Sequence, residues 1–459
     1  MKRTAAFVGA LGGFGLAFVL ADAAFRDASA QRIDPGRPSS LVVGPPPGPA
    51  PMLRVDARRS GRASDGLPVG TLKIAWKKAT GLSVEHPALA VDDGMLALVS
   101  TRGEVAFLAA DGDARSSAHV GASLVGPATM SSAGTLAFFT SHGEIAMIRP
   151  WSTRAPVLRH HAAELNVRAA PLGLDDGGAV FASVSELLMV DASGGIRART
   201  TLPEPVGSPL LATGNAIVAV TERGAVFSWI AREDPQRVGS FGAPIDGSAT
   251  LTSHRTLLAI IEQAQLIELD LKSATTTVRA RARTGEVFLG PLAAAVANDG
   301  SPILAWLALS AGHTMAKRLR SPSSEPETVT LEVLSNAQHP ASLDAGSLTQ
   351  SIPSHVGPLI DARGTLAFAT PDGRVGTLAP DGSVETLGEP PCSRGPRGYP
   401  SVAGLTPMKD RSFAITGTNG EMLRIVQARP DASDQRPSPG PSIPNVRVRD
   451  PGQPTQSCL

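Results

Sequence analysis

A motif of about 40 residues that returns along most of the chain limits what it can fold into more than any other feature. Its clearest copy opens with Pro87-Ala88-Leu89-Ala90-Val91 and turns at Asp92-Asp93-Gly94. It then runs from Met95 to Ser100, turns at Thr101-Arg102-Gly103, runs from Glu104 to Ala109 and closes at Asp111-Gly112. Short apolar or alternating runs separated by glycine turns are the signature of consecutive antiparallel hairpins. Seven further copies keep the order of parts, from Pro127 to Ile148, Pro171 to Val190, Pro209 to Ile230, a weaker Ala249 to Leu269, Pro291 to Leu309, Pro358 to Leu378 and Pro407 to Ile425. The sixth and seventh copies are widely separated. The stretch from Ser321 to Gln350 is expected to hold a loop insertion and one strand at Thr328 to Leu334.

Apolar residues do not recur at helical spacing over any long window past the N-terminus, which excludes an α/β reading. A β-sandwich array would not by itself repeat one motif at near-regular spacing. The expected fold class is therefore all-β, a β-propeller of four-stranded antiparallel blades, with eight blades favoured and seven as the alternative. The 47 glycines, 39 prolines and 4% aromatics suit many short strands joined by tight turns.

The repeat, an apolar run after proline, Asp-Gly, a strand, Asp-Gly or Arg-Gly, a strand and Asp-x-x-Gly, resembles the quinoprotein-type (PQQ-like) propeller blade. That blade is also used by the propeller subunit of the bacterial outer-membrane protein assembly machinery. Asp56-Ala57-Arg58-Arg59-Ser60-Gly61-Arg62, followed by Trp76 and Thr80-Gly81, is similar to the opening segment of that superfamily, whose N-terminal strand completes the last blade. The likeness covers roughly residues 54 to 426. Members that bind the quinone place a tryptophan after each Asp-x-x-Gly turn, and only Trp76 matches that place. Nor is there the adjacent cysteine pair of the cofactor-binding alcohol dehydrogenases, so the resemblance implies the fold and no bound cofactor. Trp229 and Trp306 lie inside strand runs and are expected to pack.

The ends read differently from the body. Lys2 and Arg3, an apolar run from Ala5 to Ala21 and small-residue sites at Ala21-Asp22-Ala23 and Ala28-Ser29-Ala30 predict an export signal over 1–30. Cleavage is expected after Ala30, with inner-membrane anchoring through an uncleaved signal as the alternative. Residues 31–66 are proline-rich and read as an extended linker. Residues 67–428 carry the propeller, and 429–459, with seven prolines, read as a disordered tail. Removing 1–30 takes three bases from 42 and two acids from 41, leaving 39 of each. A neutral mature chain gives no electrostatic reason to expect nucleic acid, and a monomer without stable membrane insertion is expected. Cys392 and Cys458 are compatible with one disulfide or with two free thiols.

No zinc-protease, P-loop, nucleophile-elbow or CxxC motif occurs in the sequence. His160-His161 is the one histidine pair, and strand neighbours face opposite ways, so it reads as polar loop positions. Asp92-Asp93 and Asp175-Asp176 read as turn chemistry. Arg279, Arg281 and Arg283 alternate with alanines and would line one strand face. With Lys317, Arg318 and Arg320 of the insertion from Gly312 to Gln350, the expected place of specificity, they are the candidate interaction residues; a solvated outer strand is the competing reading. Catalytic, cofactor-binding and metal-ligating residues are expected to be none. The chain reads as an exported, non-enzymatic interaction or scaffold module, periplasmic or extracellular, with a protein partner in the envelope. The alternative is an envelope enzyme with a dispersed channel site, either a degenerate quinoprotein or a carbohydrate-acting hydrolase.

Overall fold

The computed structural model describes residues 53–428 apart from 150–156, 161–168, 297–301, 311–326, 349–355, 370–374, 388–401 and a few isolated positions. The described residues form eight successive antiparallel sheets. In chain order the blades span 89–119, 124–160, 172–201, 211–240, 245–281, 286–348, 359–386 and 402–427, so each predicted repeat copy falls inside one blade. The eighth takes three strands from the C-terminal part (Val402–Met408, Ser412–Gly417, Glu421–Gln427) and its outer strand from Leu72–Ala79, which is antiparallel to Glu421–Gln427. This is the N-terminal closing strand expected from the resemblance.

Blades stack face to face, and the sequence shows why they do. Alternate residues of a strand point to opposite faces of its sheet. In the second strand of the second blade, Leu136 and Phe138 pack with the first blade, while Ala137 and Phe139 pack with Phe181 and Leu188 of the third. In the second strand of the sixth, Leu304 and Trp306 face the fifth blade, while Ala305 and Leu307 face the seventh. Both faces are covered, so these strands read as continuous apolar runs rather than alternating ones. Trp229 and Trp306 are 1% and 2% exposed inside such interfaces, in the packing role expected of them.

Ring closure is visible where the eighth blade meets the first. One apolar cluster unites Leu359 of the seventh blade, Leu405 and Phe413 of the eighth and Leu96 and Leu98 of the first. At the periphery the Trp76 indole N–H donates to the Ala110 carbonyl at 2.8 Å, and the Arg424 guanidinium donates to the same oxygen at 2.7 Å. The indole lies flat enough on Gly112 that a Cβ there would sit 2.9 Å from Trp76 Cδ2.

The expected insertion is smaller than its sequence suggested. Glu327–Ser335 and Gln338–Leu348 are the third and outer strands of the sixth blade, and only 311–326 separates its second strand from its third. The outer strand Gln338–Leu348 carries Pro340 and Gly346, both poor strand formers, and only a short alternation through Ala341, Leu343 and Ala345, so its sequence reads as loop.

Gly224 turns the fourth blade at φ 80°, where a Cβ would lie 2.0 Å from the Ala243 carbonyl oxygen, while Gly214 has φ 60° and nothing within 4 Å. Gly224→Ala should therefore cost about 2 kcal/mol or more, combining strain with a backbone clash. Gly214→Ala should cost about 1 kcal/mol from φ alone. Urea unfolding of both variants checks the ordering.

Candidate functional site: the central channel and its strap

Eight inner strands around one axis leave a channel whose wall is made of strand edges, each with unpaired N–H and C=O groups. The described residues between 53 and 67 occupy that channel. Arg62–Ala63 forms a short strand parallel to the innermost strand of the seventh blade, Leu359–Asp361, with Arg62 opposite Ile360. Upstream, the strap carbonyls accept from the wall. The Leu251 N–H donates to Arg58 O at 2.9 Å, Ala294 N–H to Ser60 O at 2.8 Å and Ile360 N–H to Gly61 O at 3.0 Å. The Thr250 hydroxyl donates to Arg59 O at 3.1 Å. The fifth, sixth and seventh blades are thereby tied to one extended segment.

The third and fourth blades are tied by a side chain. Arg59 is 0% exposed. Its Nε donates to Leu210 O at 2.9 Å, Nη1 to Leu53 O at 2.7 Å, and Nη2 to Pro171 O at 2.7 Å and Ala170 O at 3.2 Å. Ala170, Pro171 and Leu210 immediately precede the inner strands of those blades. Burial pushes the guanidinium down to about 9, against the pull of nearby Asp56, and at that value it is still a cation at neutral pH. Asp56 shapes the strap itself, its carboxylate accepting from the N–H groups of Arg58 and Ser60 and from the Ser60 hydroxyl at 2.8 to 3.1 Å.

Both ends are held. Leu53 packs in an apolar recess with Pro87, Leu89, Val99, Leu124 and Pro127 of the first two blades. At the other end Asp361, 0% exposed, accepts from Leu67 N–H at 3.1 Å, while Arg363 donates to Leu67 O at 2.8 Å and pairs with Asp361 at 2.8 Å. Residues 53–66, expected within an extended linker, are therefore part of the ring. The proline content that suggested a linker belongs to positions up to Pro51. The Asp56 to Arg62 segment carried the family likeness, but its burial was not foreseen, because its partners are backbone groups over 100 positions away.

The candidate interaction residues divide. Arg279 and Arg281 lie on the exposed outer strand of the fifth blade, Thr275–Arg281, with Arg283 exposed in the turn beyond it. Ala280 and Ala282 pack inward against the interface with the sixth blade. Arg279 is committed to a bidentate pair with Glu268 at 2.6 and 2.8 Å, which raises its pKa. The same arrangement, an outer-strand base beside a third-strand acid, joins Lys77 to Glu421 and Arg199 to Glu186. Lys317, Arg318, Arg320, Cys392 and Cys458 lie outside the described residues, as do Asp92, Asp93 and His161. His160 ends the outer strand Val157–His160, opposite Glu144. Asp176 caps its own turn, accepting from Gly178 N–H at 2.9 Å. Among the described residues no group of three or more His, Cys, Asp or Glu side chains converges as a metal site would.

The strap backbone and Arg59 stand among the inner strands of the third to seventh blades. Asp246, at the start of the fifth inner strand, is also perturbed. Burial raises its pKa, the Gln263 N–H bond at 2.6 Å opposes this, and Glu262 adds to the rise.

No family model matches the sequence, and no curated protein matches it. Solved structures do match in shape. The quinohemoprotein alcohol dehydrogenase from Comamonas testosteroni is 12% identical with a TM-score of 0.57, the match covering 91% of this chain and 85% of that one. The quinohemoprotein alcohol dehydrogenase ADHIIG from Pseudomonas putida HK5 is 12% identical with a TM-score of 0.55, covering 90% and 85%. BamB from Moraxella catarrhalis is 13% identical with a TM-score of 0.49, covering 78% and 98%. The chain has the PQQ-type propeller fold of these dehydrogenases.

Two outcomes are expected. Asp361→Ala, which removes the acceptor for Leu67, Arg363 and Thr365, should lower stability by about 3 kcal/mol. It should also speed tryptic cleavage at Arg62, read by mass spectrometry of timed digests. Because the folded pKa of Asp246 is raised, its contribution is present at low pH and is lost as pH rises through that pKa. Asp246→Asn should therefore raise the urea midpoint at pH 8, with the gap closing toward the ordinary carboxylate value of 3.8; a gap independent of pH would contradict the assignment.

Proposed function

We propose that this chain is an exported, non-enzymatic interaction module of the cell envelope, with residues 1–30 as its signal, 31–52 as a linker, 53–428 as the propeller and 429–459 as a tail. One observation carries the non-enzymatic half: the channel, where a propeller of this type would keep a cofactor or a dispersed catalytic site, is filled by residues 53–67 of the same chain. That filling counts equally against the degenerate quinoprotein and the channel hydrolase.

What remains for a partner is the outside of the ring, where loops on a rigid scaffold commonly carry recognition. Leu53 lies near the start of the first inner strand, and Arg62–Ala63 runs parallel to the inner strand of the seventh blade. Residues 311–326 connect a second strand to a third, and the two strand ends they join lie on the face where the inner strands start. This connection contains Lys317, Arg318 and Arg320, three bases within four positions, which suit an acidic protein surface. The export half is supported by the basic start and apolar run of the first residues. Among the described residues no helix is long and apolar enough to cross a membrane. Periplasmic residence, a protein partner and a monomeric ring complete the reading.

Fractionation with N-terminal sequencing tests the export half: a periplasmic chain beginning at Gln31 is expected, and an uncut cytosolic chain would overturn it. Crosslinking in envelope extracts, with and without residues 311–326, tests the loop. The shortened chain should lose an acidic partner that the full chain retains, and identical partner sets would reject the loop as the contact.

A further inference from the structure

The strap is held in a way that goes beyond filling space. A leucine or methionine in place of Arg59 would fill the same volume without the desolvation penalty of a buried cation. Instead the channel wall turns the carbonyls of Ala170, Pro171 and Leu210 onto one guanidinium, with the strap's own Leu53 carbonyl as a fourth acceptor at 2.7 Å. All four acceptors are neutral backbone oxygens. They meet Nε, Nη1 and Nη2 together, the spread of donors around a planar fork that a lysine ammonium cannot match. The backbone conforms to the site as well: Arg59 sits at φ 56° and Val55 at φ 81°, a left-handed region that a β-branched residue enters only when its surroundings impose it. The wall also reads the peptide backbone on either side of the arginine, through the N–H groups of Leu251, Ala294 and Ile360.

We infer that the channel wall between the third and fourth blades is a guanidinium-binding site for an arginine-bearing peptide that turns at the arginine, filled in cis by Arg59 of the strap. Arginine is the residue read, and the neighbouring backbone is the register. The chain thus carries a peptide-binding channel together with its own occupant, and a peptide in trans gains access only when the strap leaves. The site belongs to the channel and not to the outer loops, so its failure would leave the envelope reading untouched, and the reverse.

The test uses the full chain with Arg59→Ala and follows thermal unfolding in millimolar methylguanidinium against methylammonium at equal ionic strength. Methylguanidinium should raise the variant's Tm saturably by several degrees, methylammonium should not, and the wild type should respond to neither. A labelled peptide matching residues 53–67 should bind a full-length variant whose residues 53–63 are replaced by a Gly-Ser run and not the wild type, and should lose at least tenfold in affinity when its own arginine at the Arg59 position becomes alanine. Equal responses to the two cations, or peptide binding indifferent to that arginine, would overturn the assignment. If Arg59→Ala does not fold unaided, refolding yield in millimolar methylguanidinium against methylammonium replaces the thermal scan: recovery in methylguanidinium alone supports the site, and recovery in neither or equally in both overturns it.

Discussion

Every strand in this ring is paired on both edges except the innermost and the outermost, and the innermost edges of five blades face the strap. Backbone groups left there without partners would each cost on the order of 1 to 3 kcal/mol. The strap answers that constraint. It gives carbonyls to the wall N–H groups of the fifth, sixth and seventh blades and guanidinium N–H groups to the wall carbonyls of the third and fourth. The inner strands are also alanine-rich: Ala90, Ala128, Ala249, Ala293 and Ala403 are all buried in the clusters between blades. Larger side chains there would push neighbouring blades apart near the axis.

How much of this could be read from the sequence depended on whether the cause was local. Glycine turns between apolar runs fixed the hairpins, because Gly103 and Gly224 hold φ values of 78° and 80° against the backbone of the connection to the next blade. The closing strand at Leu72–Ala79 was legible through Trp76, whose docking turn at Asp111-Gly112 is itself a motif element. The strap was half legible. Asp56 through Arg62 stood out as a family-like segment, yet nothing near Arg59 in the chain announces that carbonyls 111 to 151 positions away will receive it. The outer strand Gln338–Leu348 was hidden for a local reason: Pro340 and Gly346 interrupt it, and both are poor strand formers.

The perimeter follows a second rule. Bases on the outer strands are set beside acids on the third strands, as with Arg279 and Glu268, Arg199 and Glu186, and Lys77 and Glu421. Exposed pairs of this kind contribute at most about 1 kcal/mol each. Their larger effect is to leave charged, committed side chains along edges that would otherwise invite another strand. Arg279 is therefore better understood as part of this fence than as a free hand for a partner.

The parallel pairing of Arg62–Ala63 with Leu359–Asp361 also has a mechanical side. A pull on the chain ahead of Leu53 meets hydrogen bonds lying across the direction of force, so they are loaded together in shear and not opened one by one. The load passes from a single thread into five blades at the hub, while the peripheral seam at Trp76 and Arg424 is spared. A ring tethered by that thread would resist tension as a wheel held by its axle does, with failure beginning at the strap and the blades still stacked.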